Sequence, residues 1–150
     1  MNKVDISKIK DNVEMRNVAL EYANVGDDNN AIICLVRAME LGNPYACIDL
    51  CLNIVYTRTG YKYSEEALAA IHPSKFAYYI DKGISMGSLD CKFYKAREQF
   101  MGDGFIELDA KAAYNSFLEL KELNYDTWDY FEDDLTVDDY IDMLKKDLNL

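Results

Sequence analysis

The sequence predicts an all-α fold: a short right-handed solenoid of antiparallel helix hairpins, closed by an acidic helical cap at its C-terminus. Three observations carry this. The 150 residues include only two prolines and seven glycines, and most of the glycines punctuate apolar-periodic stretches. No alternating run rich in Val, Ile and Thr reads as a strand. Three helix endings align with one another, which marks a repeat.

Taken in order, the first helix is expected over 7–25. Its apolar face holds Ile9, Val13, Val18, Leu20 and Tyr22, and Gly26 is its left-handed C-cap. A second helix over 29–41 buries Ile32, Leu35, Val36 and Met39 and ends at Gly42. Asn43-Pro44 reads as N-cap plus first-turn proline, so a third helix starts at once and runs to about residue 59, before Gly60. Residues 61–73, YKYSEEALAAIHP, form an insertion with one short helix capped by Ser64. Ser74 is expected to cap the next helix, which Gly87 stops, and Ser88 the one after, to about residue 101. Gly102-Asp103-Gly104 is a turn, and Asp109 opens a helix to about residue 123. A short helix from Asp126 and a last one from Thr136 complete the chain. Thr136 and Asp139 stand at capping-box spacing, with Asp in place of the usual Glu.

The repeat emerges when Gly42, Gly87 and Asn124 are superposed. Eleven positions earlier stand Ala31, Phe76 and Ala113; seven earlier, Leu35, Ile80 and Phe117; one earlier, Leu41, Met86 and Leu123. Four later stand Ala46, Cys91 and Trp128. Gly and Asn both tolerate the left-handed conformation that a tight helix–turn–helix needs. A helix pair of this length cannot bury its own faces, so units of this kind stack.

The third unit, FMGDGFIELDAKAAYNSFLELKELNY, resembles a Sel-one-like repeat, a relative of the tetratricopeptide repeat. Gly102 and Gly104, Asp109, and Ala112-Ala113 fall where that pattern has its Gly-x-Gly turn, its Asp and its Ala-rich helix. ICLVRAMELGNPYA is similar to the ending of the pattern. The resemblance covers residues 20–128 and implies a non-catalytic adaptor. The 61–73 insertion, Asn124 and Trp128 depart from the pattern. One domain spanning 1–150 is expected, with the cap over 129–150.

Charge is distributed unevenly. The last fifty residues hold 14 acidic and 4 basic side chains, a net of −10 out of −11 for the chain. Residues 125–142, YDTWDYFEDDLTVDDYID, carry eight acids, no base and five aromatic rings. Acids mixed with Trp and Tyr suit a basic protein surface, because charge speeds encounter and rings anchor the contact. The candidate partner-binding residues are therefore Tyr125, Trp128, Asp129, Tyr130, Phe131, Glu132, Asp133, Asp134, Asp138, Asp139 and Tyr140. A concrete form is an inhibitor or immunity protein that neutralises a basic toxin such as a nuclease. The competing explanation is a solubilising cap on the last repeat. An acidic chain is a poor ligand for nucleic acid or an anionic membrane. No apolar run is long enough to span a bilayer, and the charged start has no signal-peptide h-region, so a cytoplasmic location is expected.

No catalytic, cofactor or metal residue is expected. Cys47 and Cys51 share a helix face, but zinc needs about four ligands and the single histidine, His72, lies in a distant loop. Cys34, Cys47, Cys51 and Cys91 read as small core hydrophobes. Two rival functions stand beside the acidic-end reading: a general adaptor using the inner face of the repeats, and a cysteine- or metal-dependent enzyme.

Overall fold

A computed structural model describes residues 5–126 and 134–150. Over them the chain is all-α, with eight α-helices and two short 3-10 turns. It divides into two compact units, residues 1–87 and 88–150.

The first unit opens with a 3-10 turn, Ile6–Lys8, followed by α1, Asn12–Asn24. The helix starts later than residue 7 because the Asp11 carboxylate accepts from the Glu14 N–H at 2.9 Å and fixes the N-cap there. Its buried stripe is Met15, Val18 and Ala19, while Val13 and Leu20 are 58% and 40% exposed. The expected apolar face was thus partly wrong: Val13 and Leu20 share a helix face with each other, not with Val18. Helix α2, Asp28–Glu40, is capped by Asp27, and α3, Pro44–Val55, by Asn43. Buried Asn43 also donates to the Asn12 carbonyl at 3.2 Å, tying the start of α3 to that of α1. Helix α3 stops four residues early, where the Thr57 hydroxyl donates to the carbonyls of Asn53 and Ile54.

The insertion is held by its tyrosines. The Tyr61 hydroxyl accepts from the Asp28 N–H at 2.9 Å and donates to the Gly26 carbonyl at 3.1 Å. The Tyr63 hydroxyl accepts from the Arg58 N–H, and the Arg58 guanidinium lies 4.3 Å from the Tyr61 ring centre. Helix α4, Glu65–Ala70, follows with Ser64 as its cap. Ser74 does not cap α5, Phe76–Ser85; instead its own N–H donates to His72 Nδ1, opening a 3-10 turn over Pro73–Lys75. Helix α1 packs on α2, α2 on α3 and α4, and α3 on α5. Met15, Ile32, Ile48, Leu50, Phe76 and Ile80 fill the centre.

The second unit contains α6, Leu89–Met101, α7, Ala110–Glu122, and α8, Val137–Asp147. Ser88 and Asp109 cap α6 and α7, and both hydrogen bonds of the Thr136–Asp139 box form at α8. Helix α7 packs against both neighbours around Phe93, Phe117, Tyr140 and Leu144.

The repeat anchors have the backbone the alignment requires. Gly42, Gly87 and Asn124 have φ of 101°, 87° and 54°. The aligned residues Ala31, Phe76, Ala113, Leu35, Ile80 and Phe117 are all buried. Asn124 is the anchor with a Cβ, so its two substitutions should diverge. Asn124→Ala is expected to cost about 1 kcal/mol, and Asn124→Gly to be neutral or stabilising. Urea denaturation of both variants tests this; equal loss in both would show that the side chain, not φ, matters.

Candidate partner-binding site

Trp128, Asp129, Tyr130, Phe131, Glu132 and Asp133, and the short helix expected from Asp126, lie outside the described residues. The other five candidates take different roles.

Asp134 is exposed at φ 52°, and Asp138, Asp139 and Asp142 are exposed on the first turns of α8. Carboxylates there favour the helix N-terminus. Asp138 pairs with Lys121 at 2.8 Å, and that hydrogen bond raises the lysine pKa. Asp139 accepts from the Thr136 N–H at 2.8 Å, which holds its carboxyl below the usual range. Asp139 is therefore a capping residue first. Asp126 and Asp138 line one cleft with Lys121, Asn124, Tyr125 and Thr136. That cleft brings the acids on both sides of residues 127–133 together.

The rings behave otherwise. Tyr125 is half-buried, 5.6 Å from the Phe93 ring, and its hydroxyl bonds to Asp90. Tyr140 was expected on the binding surface and is instead a core residue, with 0% exposure. It stacks on Phe117 at 4.7 Å, and its hydroxyl accepts from Arg97 Nε at 3.1 Å. The cause is helical spacing: Tyr140 continues the stripe of Val137, Ile141 and Leu144, opposite Asp138, Asp139 and Asp142.

All four cysteines are buried free thiols. Burial pushes Cys34 and Cys91 up to about 11, with Asp27 and Asp90 adding to it and Ser88 opposing it at Cys91. A thiol in that range stays protonated at neutral pH, the opposite of an activated nucleophile. Exposed His72 bonds to Ser74 in its own turn. Among the described residues no three His, Cys, Asp or Glu side chains converge as metal ligands, and no helix is long and apolar enough to cross a membrane.

A second concave feature was missed at the level of sequence. A groove of about 690 Å³ in the first unit is lined by Ile33, Val36, Arg37 and Glu40 of α2, by Glu66, Ala69 and Ala70 of α4, and by Lys75 and Tyr79. The available signal was that α2 carries two apolar stripes: Ile32, Leu35 and Met39 enter the core, and Ile33 and Val36 face the groove.

Compared with protein-family models, with curated proteins and with solved structures, the chain matches none.

Proposed function

We propose that this chain is a non-enzymatic protein-binding module whose acidic end engages a basic protein surface. The single observation that carries the reading is the exposure of four acids at this end of the chain, Asp126 and Asp138 in one cleft and Asp134 and Asp142 beside Asp138 in sequence. Two consequences follow from their chemistry. Clustered exposed carboxylates accelerate encounter with a Lys/Arg surface, and the attraction is screened by salt. An inhibitor or immunity protein that covers a toxin's basic site is the specific form we favour. Stacking of the helix pairs as Sel-one-like repeats, in a right-handed solenoid in the cytoplasm, is part of the same proposal; the left-handed anchors at Gly42, Gly87 and Asn124 support it.

The test is charge removal that spares the fold. Asp139 is left intact because it caps α8. Asp134→Asn, Asp138→Asn and Asp142→Asn together should slow association with a basic partner by about 10-fold or more at low salt. The wild-type rate should approach that of the variant as salt rises. Equal rates at low salt would remove the acidic end from the interface.

An observation also favours the adaptor reading. Leu20, Ala23, Leu35 and Leu52 line a smaller groove of about 160 Å³ between α1, α2 and α3. Leu20→Lys would weaken a partner held there and leave the salt dependence unchanged.

A further inference from the structure

The groove beside α2 has the composition of a binding site, and it is independent of the acidic end. Its apolar lining is Ile33 and Val36, at i, i+3 spacing on α2, and the adjacent Ala69 and Ala70 of α4. Its wall is fixed, because the buried Tyr79 ring is pinned by a hydroxyl bond to the Ala70 carbonyl at 2.5 Å. Its size lies within the range of ligand pockets.

Four charged side chains line it, and burial separates them. Glu40, Glu66 and Lys75 are exposed, so water solvates them. Arg37 is half-buried and, among the described residues, forms no ion pair. Its place in the last turn of α2 favours a cation through the helix dipole, but supplies no counter-ion. A partly desolvated guanidinium with open donors gains most from a carboxylate, which it can hold in bidentate fashion. An exposed carboxylate on the rim gains much less from a visiting cation, since its own hydration competes.

We infer that this groove binds an amphipathic helical segment of a partner protein, seating apolar side chains on Ile33, Val36 and Ala69 and pairing one carboxylate with Arg37. Interhelical grooves accept such segments through anchors at i, i+3 and i+4. The charge on Arg37 then selects the sign of the residue beside those anchors.

The probe is a pair of blocked leucine–alanine helical peptides, identical except for a central glutamate or lysine. Binding to the whole chain is followed by methyl NMR of Val36, Ala69 and Ala70. The wild type should show shifts at these methyls and prefer the glutamate peptide by ~10-fold. Arg37→Glu should reverse the preference, and Arg37→Gln should abolish it while still binding both peptides. Far-UV circular dichroism establishes that each variant is folded, and Arg37→Gln keeps the test available if Arg37→Glu is not. Equal affinity of the wild type for both peptides would overturn the inference. So would shifts confined to other methyls, or groove shifts that track protein concentration without peptide, which would assign the groove to a second copy of the chain.

Discussion

Tyr140→Ala is expected to be among the most damaging single substitutions in this chain, lowering stability by about 3–5 kcal/mol. The ring is fully buried and stacked flat on Phe117, with an interplanar angle of 2°. Phe93 and Phe100 meet it edge-on, at 5.7 and 6.4 Å between centroids. Truncation therefore removes buried area and leaves a cavity that three aromatic neighbours cannot easily collapse into. The hydroxyl contributes separately through Arg97, so Tyr140→Phe should cost only about 0.5–1.5 kcal/mol. Urea denaturation of the two variants measures both terms. The experiment also discriminates roles: a ring that served a partner would leave stability unchanged when removed. A Tyr140→Ala variant as stable as the wild type would return the residue to the candidate interface.

The roles of Tyr140 and its acidic neighbours explain what was legible in the sequence. Residues set by backbone chemistry could be read directly. Gly42, Gly87 and Asn124 are left-handed because a tight turn after a helix demands it, and Ser64, Ser88, Asp109 and Thr136 cap because few side chains can. Residues set by tertiary packing could not. Ser74 was an equally good cap by type, and only the fold shows His72 Nδ1 taking its N–H. The mixture of rings and acids in residues 125–142 looked like one surface, but within α8 helical phase divides it. Tyr140 and Val137 turn inward while Asp138 and Asp142 turn outward, a split that the 3.6-residue period implies once α8 is placed. The hydroxyls of Tyr61 and Tyr63 hold the insertion to Gly26, Asp28 and Arg58, contacts that depend on the fold and not on local sequence. The groove beside Arg37 needed the fold, because its second wall comes from α4 within the insertion.

Glu98 is expected to make the second unit less stable as pH rises, against the usual behaviour of carboxylates. Its side chain is fully buried on α6. One oxygen, Oε2, accepts from the Asp103 N–H at 3.0 Å, and the other has no hydrogen-bond partner among the described residues. Gly102 lies so close that a Cβ there would overlap both the Glu98 carbonyl and its carboxyl group, so the loop cannot be replaced by a bulkier one without moving the acid. Burial raises the pKa, and the Asp103 carboxylate adds to the rise; the Asp103 N–H and Arg97 oppose it. The sign follows from proton counting. Above the ordinary carboxyl range the unfolded chain has lost this proton while the folded chain still holds it. The contribution of Glu98 is then fully present below the unfolded pKa and is lost as pH rises through the raised folded value. Glu98→Gln keeps an acceptor for Asp103 and cannot ionise. Its stability should match the wild type at acidic pH and exceed it at alkaline pH by on the order of 1–3 kcal/mol, the cost of ionising a buried carboxyl. Denaturation of both proteins across pH, taken as a difference curve, cancels the other carboxylates of this −11 chain. A flat difference curve would mean that Glu98 is solvated, and that the closed 102–104 turn gives it access to water.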